Sequence, residues 1–336
     1  MSFGQKLQHH LRRNAGDSSV RPVTGHIWDE DGMRLPDAEA HTVEAEVVEG
    51  TSLEQREVAV ADVSGLTHFL DGVQRTKIVL TYNLLPVVRA FVAAAVRVRG
   101  ADRRMSTFRG FVRTREALVM PFELCPPERF LEDALDCLDC APSFPRDMKP
   151  ADRDHPAAVR EAAHRAVGKA RAELEQELTR QWCPAAGPHD WLLVDGGIPL
   201  SLDSPGSERV VGLIKSHQTR YFTGEEYRRI MELPEGRRTS VFRTHKGDFH
   251  SAYSWYVRLR EDRAQDPSFG LVRVEAKPGP EAIRHADAIS AWILAERCPV
   301  SLPDGRWDRM IYPIRDCEQY LKAISPSQVE MDARLI

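Results

Sequence analysis

Residues 191–197 read Trp-Leu-Leu-Val-Asp-Gly-Gly, and this stretch guides the interpretation of the whole chain. Its four apolar residues predict a short buried strand. Asp195 then stands at the carboxyl edge of that strand, where the two glycines open the backbone beside it. An acid held in this way can bind a divalent metal ion. Because Asp-Gly is also a frequent hairpin signal, Asp195 taken alone is more typical of a turn.

A second acid occupies a similar setting near the start of the chain. Asp71 follows Phe69-Leu70 and precedes Gly72, so it also stands beside an apolar run and a glycine. Taken alone, this acid is again more typical of a turn. Apolar and β-branched runs predict strands at 77–82, 91–98 and 117–122. Pro86 argues against one continuous helix over residues 82–99.

Between the two aspartates, residues 157–182 predict a helix, because apolar residues recur there at spacings of three and four. Glu173 and Glu177 share one face of it at the margin of the apolar stripe. Each glutamate alone is more typical of a solvated face. The order of strand with Asp, further strands, helix with Glu and strand ending in Asp is that of ribonuclease H-like nucleases. It predicts an α/β fold, a ribonuclease H-like mixed sheet flanked by helices.

The remaining chain alternates between further elements. Strands are predicted at 210–214, 254–259 and 271–275, and helices at 225–233, at 281–296 and after 312–313. Residues 125–155 contain several prolines and predict a loop or insertion. We therefore divide the chain into an N-terminal extension (1–60), a nuclease domain (61–325) and a C-terminal tail (326–336).

These motifs, taken in order, resemble the NurA nuclease family over roughly residues 65–325. Asp71-Gly72-Val73 is similar to the family's early Asp-Gly-Ser motif, with Val in place of Ser, and Asp195-Gly196-Gly197 is similar to its second. Glu173 matches an acid in the intervening helix. Four later segments resemble the family's later motifs in the same order: Val211–Ser216, Tyr256–Leu259, Arg273–Glu275 and Tyr312–Pro313.

The resemblance implies an Mn²⁺- or Mg²⁺-dependent nuclease that cuts DNA ends or single strands. It implies a homodimer that acts with a HerA-type hexameric ATPase in DNA repair or anti-phage defence. It also implies that Asp71, Glu173 and Asp195 hold the metal ion. The sequence contains no GxxxxGK[ST] motif, so this chain is not itself the ATPase motor.

One position departs from the family pattern. The family has a metal-site His in its last helix, and Tyr320 falls roughly where that His belongs. Asp316 or Glu318 can substitute as an oxygen ligand. Of these two acids, Asp316 is the better-placed ligand, because it shares a helical face with Tyr320 whereas Glu318 would point elsewhere. The competing interpretation, which the helix entry at Tyr312-Pro313 favours, makes Asp316 an acid at the helix start that is stabilised by the helix dipole.

The departure keeps two other functions open. A chain that has lost the complete metal site would be a DNA clamp or adaptor for the ATPase. A third possibility is a ribonuclease H-like enzyme that acts on RNA hybrids.

Charge suggests where DNA would bind. The net charge is −4, but residues 205–260 hold 11 Lys or Arg against 6 Asp or Glu. Lys215 ends a strand there and can neutralise the scissile phosphate. The arginines proposed to contact DNA are Arg237, Arg238, Arg243, Arg258 and Arg273. The alternatives are a solvated face and, for the two strand arginines at 258 and 273, pairing with an acid such as Glu275.

Other features point less strongly to function. Cys137 and Cys140 form a CxxC that could be half of a zinc site, although plain thiols fit better without a second pair. His245, Asp248 and His250 could bind a metal but are more typical of a polar loop. Trp255 and Tyr256 could stack on bases but are more typical of a core. Because no apolar run is long enough for a membrane span or signal peptide, we expect a cytoplasmic protein without membrane contact.

Overall fold

The computed structural model describes residues 5, 6, 9, 12, 13, 20–22, 27–28, 41–82, 84–120, 137–139, 155–199, 202–216, 219–246, 250–261, 267–297 and 307–331. Most of the predicted loop at 125–155 lies outside these residues, as do Cys140 and Asp248.

The first half of the chain supplies mainly strands. These are β1 (Val20–Pro22), β2 (Ile27–Trp28), β3 (His41–Thr42), β4 (Ala45–Val47), β5 (Gln55–Glu57), β6 (His68–Tyr82), β7 (Leu85–Arg99), β8 (Met105–Met120) and β9 (Cys137–Asp139).

The second half alternates strands with helices. In chain order they are α1 (Pro156–Ala185), β10 (Leu192–Asp195), β11 (Val210–Ile214), β12 (Thr219–Arg220), α2 (Gly224–Met231), β13 (Arg237–Thr239), β14 (Phe242–Lys246), β15 (His250–Arg258), β16 (Leu271–Ala276), α3 (Pro280–Glu296), α4 (Tyr312–Ile324) and α5 (Gln328–Met331).

One large mixed sheet organises the molecule. Its main path runs β4-β14-β15-β16-β11-β10-β6-β7-β8-β9. At the centre, β6, β7 and β8 form an antiparallel meander, while β10 pairs in parallel with both β6 and β11. Beyond β11, the strands β16, β15 and β14 continue the sheet in antiparallel order. The predicted α/β class with a mixed sheet is therefore confirmed.

Helix α1 covers one face of the central strands. Pro156 opens it and His155 caps it, with the ring Nδ1 accepting a hydrogen bond from the Ala157 amide at 3.2 Å. Its buried stripe, which includes Val167 and Leu174, packs against even-numbered residues of β6 and β7 such as Leu70. The predicted stripe is thus confirmed, and the helix extends to Ala185, one residue past Pro184.

Helices α3 and α4 cover the opposite face. Ile289 of α3 and Ile314 of α4 share a core with Phe69 of β6 and Leu193 of β10. Odd-numbered residues of β6 and β10 therefore face α3 and α4, whereas even-numbered residues face α1. This alternation decides toward which helices the two aspartates point.

The N-terminal extension contributes strands to the sheet rather than standing apart from it. The strands β1 and β2 pair with β6, β4 pairs with β14, and β5 pairs with β13. At the other end, Met331 is buried in α5 and the Glu330 carbonyl accepts a hydrogen bond from Arg89 at 2.8 Å. No helix among the described residues is long and apolar enough to cross a membrane.

Candidate functional site

Asp71 and Asp195 lie side by side at the centre of the sheet. The parallel register pairs Leu70 with Val194, so the next residues along both strands are the two aspartates. Adjacent strands are about 4.8 Å apart, and equivalent positions point to the same face. Asp71 lies within β6 rather than in a hairpin turn, and Asp195 ends β10. After it, Gly196 adopts a φ of 116°, a conformation that favours glycine, and its amide donates a hydrogen bond to the Leu213 carbonyl of β11 at 2.8 Å.

Glu175 of α1 completes the group of acids by reaching past Gly72. A Cβ atom at Gly72 would collide with the Glu175 carboxylate, so the missing side chain provides the space that this glutamate uses. Glu175 interacts electrostatically with both Asp71 and Asp195. Three carboxylates from two strands and one helix are therefore close enough to interact electrostatically.

Burial and the neighbouring negative charges raise the pKa of two of these acids, Asp71 and Glu175. Burial raises the pKa of Asp71 well above its usual range, and the charge of Asp195 raises it further. Burial also raises the pKa of Glu175 to about 7, with Arg171 opposing the rise and Asp195 adding to it. The carboxylates are thus held together at an electrostatic cost, which a bound cation would relieve.

We call the space beside these acids the carboxylate cavity. It measures about 430 Å³ and is lined by Asp71, Gly72, Val73, Arg171, Asp195, Lys215, Ser216, Arg309, Met310, Ile314, Arg315 and Glu318. Lys215 forms an ion pair with Asp195 in this cavity, and its Nζ lies 2.8 Å from Oδ1 of that aspartate. The predicted Lys215 therefore lies in the site. The four cationic side chains of the lining surround a group of acids, an arrangement suited to a polyanion that binds together with a metal ion.

The structure does not bring Glu173 or Glu177 to this cavity, which corrects their predicted placement. Glu173 pairs with Arg115 at 3.8 Å and Glu177 pairs with Arg113 at 3.5 Å, both arginines on β8. The two glutamates lie on the margin of α1 that faces β8. Glu175 lies on the other margin, which faces β6, so it replaces Glu173 in the candidate site.

Asp316 is also placed away from the cavity. Its carboxylate accepts a hydrogen bond from Arg97 Nε at 2.9 Å, and the same guanidinium stacks on the Tyr320 ring. Asp316 is therefore neither a neighbour of Asp195 nor an acid in the first turn of the helix. Glu318, which we expected to point elsewhere, lines the cavity instead.

Three of the five arginines proposed to contact DNA are buried, which contradicts that prediction. Arg238 is 1% exposed and binds Glu49 and Asp287. Arg258 donates to backbone carbonyls, among them those of Met231 at 2.7 Å and Leu233 at 2.9 Å.

Arg273 is the third buried arginine. It pairs with Glu275 at 2.7 Å, as the alternative interpretation proposed. These three side chains hold the sheet together because their donors are satisfied inside the protein.

The other two arginines are more exposed but also paired. Arg237 binds Glu57 at 2.6 Å, and Arg243 binds Glu46 at 3.2 Å. Trp255 is completely buried and donates to Ser290 Oγ at 2.9 Å, so it belongs to the core. All five arginines that we proposed to contact DNA therefore have partners inside the protein.

Sequence reasoning missed Glu175, Arg171, Arg309 and Arg315, and it considered Glu318 but preferred Asp316. Gly72 carries the signal that could have found Glu175, because a glycine beside a strand acid leaves room for a helix side chain. Among the described residues, no group of three or more His, Cys, Asp or Glu side chains is already arranged to hold a metal ion. No protein-family model matches the chain, and no curated protein matches it.

Proposed function

We propose that this chain is a metal-dependent nuclease that hydrolyses DNA, with a ribonuclease H-like core. The observation that carries the proposal is the convergence of Asp71, Asp195 and Glu175 at the centre of the sheet. The strand order supports it, since three antiparallel strands are followed by two parallel strands next to the first. An α1-like helix between the third and fourth strands supplies the glutamate, as in the order predicted from sequence.

The donor set fits a hard divalent cation. All three groups are carboxylates, and oxygen ligands suit Mg²⁺ and Mn²⁺ better than softer metals. Glu318 lines the same cavity and can add a fourth oxygen from α4, the element in which the family places its histidine. When bound, a divalent ion supplies Lewis-acid activation of the attacking water and neutralises charge on the phosphate.

The protein's own side chains would orient the substrate. Lys215 holds Asp195 at 2.8 Å and can donate to a phosphate oxygen placed in the cavity. Met310 and Ile314 form an apolar wall on one side, which limits the water that reaches the carboxylates. The cationic side chains would therefore bind the phosphate, and the apolar wall would exclude water from the carboxylates.

A titration of Mn²⁺ with labelled single-stranded DNA tests the proposal. We expect the wild-type chain to cut in a metal-dependent manner, and Asp71→Asn to lower the rate by more than about 100-fold. DNA binding without cutting in either Mn²⁺ or Mg²⁺ would contradict the proposal and favour the clamp or adaptor. Parallel reactions with DNA, RNA and hybrid strands separate a deoxyribonuclease from an enzyme of RNA hybrids.

The partners belong to the same proposal and rest on the NurA resemblance. We propose a homodimer that receives DNA from a HerA-type hexameric ATPase during repair or defence. Light scattering of the purified chain should give twice its 38.0 kDa mass. Adding the ATPase with ATP should increase the cutting of long DNA, and an unchanged rate would argue against the partnership.

A further inference from the structure

The cations of the carboxylate cavity differ in what holds them. Arg171 lies 3.6 Å from Glu175, and Lys215 lies 2.8 Å from Asp195. Arg309 donates to the Lys215 carbonyl at 3.0 Å and pairs with Asp308 at 3.3 Å. Each of these three side chains therefore has an acidic partner.

Arg315 is the exception within the described part of the chain. Its guanidinium lines the cavity, yet the contact that the structure gives it is a 3.6 Å hydrogen bond from Nη1 to the Met310 sulfur. A thioether is a weak acceptor and carries no charge. Among the described residues, no carboxylate lies within ion-pair distance of Arg315. Its charge therefore faces the cavity without a counterion.

The charges of the cavity indicate what would neutralise Arg315. The lining carries four cationic side chains against the three carboxylates of Asp71, Asp195 and Glu318, a formal excess of one positive charge when all are ionised. A divalent cation would raise this excess to three positive charges. A guanidinium binds phosphate with two parallel hydrogen bonds, so a nucleic-acid backbone is the anion that suits this excess.

The lining residues also indicate whether the bases of a bound DNA strand are contacted. Among the described residues that line the cavity, none is aromatic, so no ring is present on which a base could stack. Contacts to phosphates fix the position of a strand without reading its sequence.

We infer that Arg315 is a phosphate-binding residue that holds the DNA backbone beside the scissile phosphate, so that the site takes DNA without base preference. The inference rests on the proposed function for the identity of the reacting phosphate. It assigns Arg315 to substrate binding and leaves the carboxylates to the reaction.

Binding measurements test this directly. Fluorescence anisotropy with a labelled 12-mer single strand is measured in a Glu175→Gln background, which prevents cutting. Adding Arg315→Gln should weaken binding about five- to tenfold and reduce the log–log salt slope by about 0.7, one phosphate contact on a single strand. Arg284→Gln is the matched control, because Arg284 is 66% exposed on α3 and pairs with Glu281.

Kinetics provide a second measurement in the otherwise wild-type chain. Arg315→Gln should raise KM while kcat changes by less than about twofold, as expected for lost ground-state binding. Oligonucleotides of different base composition should be cut at similar rates. If Arg315→Gln matches the Arg284→Gln control in affinity and salt slope, the inference is wrong even where Mn²⁺-dependent cutting is observed. If Arg315→Gln weakens binding but the wild type never cuts, the proposed nuclease function fails and the phosphate contact stands.

Discussion

Two charged regions of the same sheet hold their ionic groups in opposite ways. In β13, β15 and β16, the buried Arg238, Arg258 and Arg273 each meet carboxylates or carbonyls that use their donors. At the carboxylate cavity, Asp71 lines the space and Glu175 lies against Gly72. Both interact electrostatically with Asp195, and burial raises the pKa of both. The first arrangement stabilises the fold, whereas the second destabilises it unless a cation binds.

The contrast separates structural charge from functional charge. Perturbed pKa values gather where groups are prepared for chemistry, although ion-pair networks can also perturb them. Here the strongest perturbation of acids coincides with a cavity and with an arginine that has no carboxylate partner in the described part of the chain. The mutations below compare the two regions by their effects on stability, metal binding and DNA affinity.

The largest stability effect is expected at Arg238. Replacing it with Met removes the ion pairs with Glu49 and Asp287. The partly buried Glu49 then keeps the more distant Arg56 and the Val241 amide, and breaking such a buried network lowers the free energy of unfolding by about 3 kcal/mol. Urea denaturation measures the change. Arg237→Gln is the control, since the exposed pair with Glu57 contributes less than about 1 kcal/mol. Equal stability of the two variants would mean that Arg238 is not a structural residue.

Glu175→Gln should raise the free energy of unfolding, the opposite of the effect expected at Arg238. The fold raises the Glu175 pKa from 4.5 to about 7, so ionisation of this group opposes folding. The contribution of Glu175 to the free energy of unfolding is fully present below pH 4.5, where the carboxyl is protonated in both states. It is lost as the pH rises through 7, where the folded state must ionise the buried group. In EDTA at pH 8, Glu175→Gln should therefore unfold at higher urea, with a gain of up to about 3 kcal/mol.

The pH dependence sharpens this test. The difference in free energy of unfolding between Glu175→Gln and wild type should become smaller as the pH falls from 7 to 4.5. The reason is that the wild-type carboxyl becomes protonated and is then neutral like the amide. Glu173→Gln is the control, since its exposed pair with Arg115 should change stability by less than about 0.5 kcal/mol at any pH. A destabilised Glu175→Gln at pH 8 would show that the buried charge is already compensated.

A smaller effect is expected at Lys215. Its ammonium occupies an oxygen of Asp195 that a metal ion would use, so Lys215→Met should tighten Mn²⁺ binding roughly tenfold, or about 1.4 kcal/mol. Calorimetric titration without DNA measures this affinity. Lys277→Met, which removes a surface pair with Asp203, should leave it unchanged. Weaker Mn²⁺ binding in Lys215→Met would show that the lysine positions Asp195 for the metal.

The smallest effect is expected at Arg243. It is paired with Glu46 and lies outside the carboxylate cavity, so Arg243→Gln should change single-stranded DNA affinity by less than about twofold. The salt slope should also stay the same, since no phosphate contact is lost. A decrease of about 0.7 in the log–log salt slope would instead show that Arg243 contacts a DNA phosphate.

Much of the fold follows from local patterns in the sequence. The apolar stripe of α1 and the β-rich runs of β6, β7 and β10 predict the elements and their order, because burial on one face or both leaves a periodic trace. The pairing of Asp71 with Asp195 follows from their equivalent places at the edges of apolar strands. These features depend on neighbours along the chain, so one sequence suffices to predict them.

The errors arise where tertiary geometry decides. Helix α1 carries acids on both margins, and its orientation across the sheet turns Glu173 toward β8 and Glu175 toward β6. Likewise, the rotation of α4 places Glu318 in the cavity and Asp316 on Arg97. Periodicity shows which residues share a face but leaves open which strand that face meets.

The cutting of labelled single-stranded DNA in Mn²⁺ by three glutamine variants of α1 tests the central claim most directly. Glu175→Gln should lose more than about 100-fold in rate, while Glu173→Gln and Glu177→Gln should stay within about twofold of wild type. All three proteins should be folded, because the arginine of each lost ion pair is partly exposed and stays hydrated. Full activity in Glu175→Gln, or loss of activity in Glu173→Gln, would contradict the site that we assign.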